Sequence, residues 1–199
     1  MTVTNYSALG TPPDANGNGV SAHAHRRIMR YLWSNPGIVG QDPHDLSLRV
    51  NGRSDLQYSV TRGMCVIPRD ESWAEGFYEA YIDQCTVGPV AAGDPSNPRI
   101  DVVWIRANDL TFNDRPEGTD SDGQPLPPTN RVEVGVTQGT PAASPTEPAI
   151  PDRAWRLGAM LMPAGATSTA SATQYGNIDY AMPYGAEMGI IARVAENKD

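Results

Sequence analysis

Arg99-Ile100-Asp101-Val102-Val103-Trp104-Ile105-Arg106 is a short apolar run, bounded by Asn97-Pro98 before it and Asn108-Asp109 after it. Its length, its β-branched content and the turn residues at both ends predict a strand covered on both faces. A half-exposed strand would alternate apolar and polar positions instead. The run therefore belongs at the heart of a core, and the segments around it determine what kind. On its C-terminal side, Arg131 to Thr137 alternates Val132, Val134 and Val136 with polar residues and Gly135, which predicts a strand with one wet face. Trp155, Leu157, Ala159 and Leu161 give another alternating strand, which Pro163 ends. Between these two, residues 139–151 hold four prolines in thirteen positions, a composition for polyproline-like extension and thus for a strap across a surface. Residues 108–130 form a polar, Pro-rich excursion long enough to be functional or mobile.

The N-terminal side also reads as strands. Leu46, Leu48 and Val50 alternate with polar residues, Asn51-Gly52 follows, and Leu56, Tyr58 and Val60 resume the alternation. Asn-Gly tolerates the positive φ of a two-residue turn, so a hairpin centred there is expected. Met64 to Ile67 extends its second strand past Gly63, and Phe77 to Val87 forms a further strand closed by Gly88-Pro89. Ile178, Tyr180, Ile190, Ile191 and Val194 suggest short terminal strands. One segment has helical period. Val20, Ala24, Ile28, Tyr31 and Leu32 fall on one side at spacings of three and four, with His23, Arg26 and Arg30 opposite. This predicts an amphipathic helix over about 20–34, stopped by Asn35-Pro36-Gly37. The expected architecture is all-β, an antiparallel β-sandwich-like domain with an extended N-terminal arm and one amphipathic α-helix. Its boundaries are 1–19 for the arm, 20–36 for the helix segment and 37–199 for the β-rich domain with its strap at 139–151.

Composition narrows the function. Gly and Pro, at 19 and 18 of 199 residues, exceed the usual share of roughly 12% and mark a turn-rich chain. A net charge of −8 and a pI near 4.8 argue against a nucleic-acid binder, whose affinity comes from Lys and Arg neutralising phosphates. No apolar run approaches the roughly 18 residues of a spanning helix, so no membrane partner is expected. Met1 to Ser7 has no basic or apolar signal region, which places the start of the chain's life in a cytoplasm. Of the 15 basic residues only Lys198 is a lysine, a skew that a GC-rich genome produces. Cys65 and Cys85 lack CxxC spacing and read as small buried hydrophobes.

No motif assigns chemistry. The histidines are His23, His25 and His44. Residues two apart on a helix point about 200° apart, so His23 and His25 do not share a metal ion. Asp120-Ser121-Asp122-Gly123 is a fragment of a calcium loop without its closing bidentate Glu, and a solvated loop is the default. No G-x-S-x-G, phosphate loop, H-E-x-x-H or dinucleotide fingerprint occurs. No catalytic residue, cofactor or metal is therefore expected, and the protein reads as a non-enzyme. The candidate functional residues are interface residues. Arg26, Arg27 and Arg30 could grip an acidic partner from the outer side of the helix. Trp33 marks a subunit contact, or else the helix end curls back onto the sheet. Trp73 sits among Asp70, Glu71 and Glu75 at a loop tip, where an indole either stacks on a sugar ring or folds under its own loop.

The order of these segments resembles minor tail or baseplate-type structural proteins of long-tailed bacteriophages, particularly those of GC-rich actinobacteria. The resemblance spans about 20–170. It rests on a short helix ending in Trp33, Gly37-Ile38-Val39, the strands Leu46 to Val50 and Leu56 to Val60, and Asn97-Pro98-Arg99-Ile100-Asp101-Val102-Val103. It continues through Val132-Glu133-Val134, Gly139-Thr140-Pro141-Ala142-Ala143-Ser144-Pro145, Pro148-Ala149-Ile150-Pro151, Leu157-Gly158-Ala159 and Pro163-Ala164-Gly165-Ala166-Thr167-Ser168. It implies a tail component assembled in the host cytoplasm, a homo-oligomer, trimer or ring, that docks on other phage tail proteins. It assigns Arg99 and Asp101 structural roles and supplies no catalytic residue. The chain ends soon after Val194, without a host-facing C-terminal module, which favours an adaptor. The alternatives are a receptor- or carbohydrate-binding tail module whose partner is a host surface glycan, and a capsid decoration or head-tail connector protein.

Overall fold

Residues Arg99–Asn108 form a ten-residue strand in which every position is buried, in agreement with the sequence reading of a central strand. The computed structural model describes residues 3–5, 22–40 and 47–183. In chain order the elements are β1 (Val3–Asn5), α1 (Ala22–Leu32), β2 (Trp33–Asn35), β3 (Gly37–Val39), β4 (Val50–Gly52), β5 (Tyr58–Val60), β6 (Gly63–Pro68), β7 (Phe77–Ile82) and β8 (Cys85–Val87). After the central strand, β9, come β10 (Arg131–Thr137), β11 (Trp155–Met162), β12 (Thr173–Tyr175) and β13 (Met182–Pro183). The fold is mostly antiparallel β with a single helix among the described residues.

β9 lies in the middle of a five-stranded sheet of order β1-β10-β9-β11-β12. Its period of two sends Val103, Ile105 and Ala107 to one face. There they join Val132, Val134, Leu157 and Met160 against Ile38, Cys65, Ile67, Tyr78 and Ile82 from the β3-β6-β7 sheet, and Tyr58, Val60 and Val87 from β4-β5-β8. One face of the large sheet thus packs on two small ones, giving the sandwich-like core. Each Ile, Val or Leu fully buried here contributes about 1.5–3 kcal/mol. The opposite face carries Ile100 and Val102, which cluster with Ala159, Leu161 and Ile150. Ile150 comes from the proline-rich strap, so the second face of β9 is covered by irregular chain rather than by another sheet. Gly139 N donates to Asp101 Oδ1 (3.1 Å) and Ala142 N to the Pro98 carbonyl (3.0 Å), which pins the strap in place.

Several sequence expectations are corrected. The wet face of β10 is dry at its centre, between an exposed Arg131 and a half-buried Thr137. Glu133 is fully buried opposite Arg106, and Gly135 is overlaid by the Trp104 ring, where an added Cβ would lie 2.3 Å from Cζ2. The β4–β5 hairpin forms, but Asn51 and Gly52 pair within it, with Ser59 and Tyr58, so the connection is 53–57. Asp55 organises that connection by accepting from Arg53 and from Gln57 N. Leu48 is a buried turn residue with φ of 51° rather than a strand position. The run from Phe77 to Val87 divides into β7 and β8, which belong to different sheets. The helix ends at Leu32, and Trp33 opens β2, which pairs with β13.

The largest correction concerns the faces of α1. Its buried residues are Arg26 and Met29, while Ile28, Tyr31 and Leu32 are 47%, 79% and 51% exposed. Arg26 turns inward because its guanidinium finds a buried carboxylate and two aromatic rings, which outweighs burial of the longer apolar stripe. The helix backbone also sits directly on Gly76, whose φ is +84° and where an added Cβ would lie 2.2 Å from the Arg26 carbonyl. Most of the predicted arm, His44, Leu46, Ile190, Ile191 and Val194 lie outside the described residues. Of the arm, Val3–Asn5 is described, antiparallel to β10 with Val3 opposite Val134.

Candidate functional site

β9 begins and ends in buried charge. At its start, Arg99 and Asp101 project to the same side and form a bidentate pair, Nε to Oδ1 at 2.8 Å and Nη2 to Oδ2 at 3.2 Å. Arg99 also donates to the carbonyls of Ala92 (2.7 Å) and Ala91 (2.5 Å), and Asp101 Oδ2 accepts from the Tyr58 hydroxyl at 2.9 Å. Each guanidinium nitrogen has an acceptor. Burial, and then the Asp101 carboxylate, pushes the Tyr58 phenol far above its ordinary range. This set is closed, and it ties β5, β9 and the strap together.

The far end of β9 differs. Asp109, just beyond the strand, accepts from Arg26 Nη1 (2.6 Å) and the Tyr78 hydroxyl (2.8 Å) through Oδ2, and from Thr111 N and Oγ1 through Oδ1. Burial raises the Asp109 carboxyl, but the donors from Thr111, Tyr78 and Arg26 outweigh it and hold the group below its ordinary value. Asp114 follows on a turn whose Asn113 has φ of 60°. It accepts from both terminal nitrogens of Arg69 and from Asp109 N. Arg153 Nη1 lies 2.6 Å from the same Asp114 Oδ2 without aligning an N–H on it. Arg153 donates no hydrogen bond among the described residues. Burial lowers the basicity of its guanidinium, Asp114 opposes this, and the nearby guanidiniums of Arg69 and Arg106 lower it further. Arg106 is committed elsewhere, to Glu133 (2.7 Å) and Glu117 (3.0 Å).

Beside this cluster opens a cleft of about 830 Å³. Its walls include Arg69, Arg153 and the aromatic rings of Trp73, Phe112 and Trp155, with Glu71 and Asp152 also lining it. The Arg69 guanidinium lies 4.0 Å and that of Arg26 4.8 Å from the Phe112 ring centroid, so this ring is held by two cations. Trp73 and Arg153 have φ of 60° and 62°. Non-glycine residues in this region persist where surrounding structure imposes them, and they concentrate at functional positions. The indole N–H of Trp155 is buried without an acceptor among the described residues.

The five predicted interface residues separate accordingly. Arg26 is removed from the surface by its pair with Asp109, and no local signal announces a partner 83 positions away. Arg27 and Arg30 are exposed; Arg27 reaches Glu75 only at 3.9 Å. Trp33 curls onto the sheet, donating Nε1 to Glu79 at 3.2 Å, and packs against the Met29, Val66 and Phe77 cluster. Trp73 belongs to that cluster too, edge-on to Phe77 at 5.5 Å between centroids, while lining the cleft. Sequence reading singled out Trp73, and took Asp114 only as part of the acidic loop; it missed Arg69 and Arg153, which only the fold brings to Asp114. The calcium-like fragment is a tight turn in which Asp120 Oδ1 accepts from Asp122 N and Gln124 N. No group of metal-ligating side chains forms among the described residues. His23 pairs with Glu75 at 3.1 Å. Cys65 and Cys85 are free and buried, and burial pushes the Cys85 thiol up to about 11. No described helix is long and apolar enough to cross a membrane.

No protein-family model, curated protein or solved structure matches the chain.

Proposed function

We propose that the protein is a structural subunit that acts by assembly, a minor tail, baseplate or tail-tip adaptor of the phage type its sequence resembles. The observation that carries the assembly reading is the outer face of α1. Ile28, Tyr31 and Leu32 stand exposed at spacings of three and four, beside Arg27 and Arg30. α1 exposes two Arg, Arg27 and Arg30, and carries no acidic residue, on a chain of net charge −8. A surface that is both apolar and locally basic finds its complement on an acidic neighbour, and other copies of this chain are acidic. A two-fold contact of α1 with itself would oppose Arg to Arg. A head-to-tail contact avoids this, and when its rotation closes it yields a ring. The edge of β12, which pairs only with β11 among the described residues and all three of whose residues are exposed, offers main-chain groups for strand addition by another tail protein.

Light scattering on the full chain tests the assembly reading. A ring or trimer that dissociates as salt rises is expected, and a monomer at all concentrations contradicts it. The tail assignment rests on the sequence resemblance, and gene neighbourhood tests it. A position among tail genes supports the assignment, whereas a metabolic operon overturns it.

A further inference from the structure

The cleft beside Phe112 is acidic. Asp70, Glu71, Glu75 and Asp152 line it, while its two guanidiniums, those of Arg69 and Arg153, are both turned to Asp114. The carboxylates are unevenly committed. Asp70 accepts from Ser72 Oγ and from the backbone N–H groups of Ala74 and Glu75, and Glu75 pairs with His23 at 3.1 Å. Glu71 and Asp152 are exposed and make no ion pair or hydrogen bond among the described residues. The same lining includes the rings of Trp73, Phe112 and Trp155. A cleft of about 830 Å³ with aromatic walls and uncompensated negative charge suits a group that is apolar in its body and cationic at its edge. The outer face of α1 has that composition. Tyr31, at 79%, is the most exposed of the large apolar side chains, Ile28 and Leu32 are exposed with it, and Arg27 and Arg30 lie beside them. Within one copy the two surfaces do not cover each other. Arg27 reaches Glu75 only at 3.9 Å, and Arg30 makes no ion pair among the described residues.

We propose, resting on the assembly reading above, that this cleft is the docking site for the outer face of α1 from a second copy of the chain, with Tyr31 against the aromatic walls and Arg27 and Arg30 on the carboxylates of Glu71 and Asp152. Each part of the helix face meets a group of matching chemistry. Guanidiniums bond carboxylates through paired N–H donors and also stack on indole faces. Tyr, Trp and Arg are the side chains that dominate interface energetics where they meet in a pocket that excludes water. A wholly apolar partner would strip water from the carboxylates without replacing it, and a polyanion is repelled by them. Helix meets cleft, so Arg does not oppose Arg. Because the two surfaces differ, the contact repeats from copy to copy, which is the head-to-tail pattern of a ring.

The experiment is sedimentation velocity on the full chain and on charge-reversal variants whose folding is checked by circular dichroism. Glu71→Arg/Asp152→Arg is expected to abolish the oligomer at concentrations where the wild type is fully assembled. Asp83→Arg/Asp122→Arg makes the same change of charge at exposed positions outside the cleft and is expected to leave the oligomer intact. Mixing the cleft variant with Tyr31→Glu/Leu32→Glu brings one intact helix face to one intact cleft, so a one-to-one dimer is expected where each variant alone is monomeric. If the cleft variant does not fold, Glu71→Gln/Asp152→Asn is read in its place, with assembly shifted to about tenfold higher concentration or more. An oligomer unaffected by the cleft variants, equal dissociation in the control, or a mixture that stays monomeric overturns the proposal. A wild type that is monomeric throughout ends the assembly reading and this inference with it. An oligomer that Tyr31→Glu/Leu32→Glu dissolves and the cleft variant does not removes the cleft alone and leaves α1 in the assembly.

Discussion

The two ends of β9 use the same pair of side chains for different ends. At Arg99–Asp101, carbonyls of Ala91 and Ala92, the Tyr58 hydroxyl and Gly139 N complete every guanidinium nitrogen and both carboxylate oxygens. At Asp114, Arg69 and Arg153 converge on one carboxylate, Arg69 through two hydrogen bonds and Arg153 through an ion pair at 2.6 Å. A completed buried pair joins segments and leaves no donor for a ligand. An incomplete one contributes less to stability. The difference is read from hydrogen-bond accounting rather than from burial alone.

Five substitutions break or sharpen that contrast. Arg99→Met leaves the buried Asp101 carboxylate short of its partner and removes the bonds to the Ala91 and Ala92 carbonyls, so a loss near the upper end of the roughly 3–5 kcal/mol range for a broken buried pair is expected in urea unfolding. Asp109→Asn strands Arg26 in the same way, but the Tyr78 and Phe112 rings beside that guanidinium, at 5.2 Å and 4.8 Å, hold the loss near the lower end, about 3 kcal/mol. The same variant changes the acid limb. Because the folded-state carboxyl of Asp109 titrates below its ordinary value of 3.8, it contributes stability above that pH and loses it as pH falls through the folded value. Unfolding monitored from pH 5 down to pH 2 is expected to show a shallower stability loss in Asp109→Asn, and an unchanged slope would remove Asp109 from the acid limb. At the alkaline end, the raised phenols of Tyr58 and Tyr78 contribute stability that is lost as pH climbs past their ordinary value of 10.0, and Tyr78→Phe flattens that limb.

Gly135→Ala places a methyl against the Trp104 ring, and thermal unfolding is expected to report a loss of about 1–3 kcal/mol as the indole shifts. Arg153→Met is the smallest effect. It removes a partly exposed ion pair to Asp114 but also relieves repulsion from Arg69 and Arg106, so a stability change of about 1 kcal/mol or less is expected. A loss as large as that of Arg99→Met would show the two ends of β9 to be equivalent.

The central strand was legible because its pattern is local: an apolar run with turn residues at both ends needs no knowledge of what covers it. The strap and β11 were legible for the same reason, through proline density and alternation. The faces of α1 were not. Periodicity ranks side chains by hydrophobicity, and here a buried carboxylate 83 residues away reversed the ranking by pairing with Arg26. Glu133 misled in the same way, since alternation marks it as wet and only its register with Arg106 makes burial tolerable. Asn51-Gly52 shows that a turn-forming dipeptide yields when a longer connection organised by Asp55 gives better pairing. Of the candidate cleft, only Trp73 carried a signal, as a large aromatic among acidic loop residues. Arg69, Asp114 and Arg153 are ordinary in sequence and become a cluster through topology.

The inversion of α1 is also what leaves Ile28, Tyr31 and Leu32 outside, and the proposed assembly depends on it. Sedimentation velocity on the wild-type chain and on Tyr31→Glu/Leu32→Glu, at micromolar concentrations and low salt, tests that dependence most directly. The account predicts a closed oligomer for the wild type and a folded monomer for the double variant. A wild type that sediments as a monomer, or an oligomer that survives both substitutions, would contradict it.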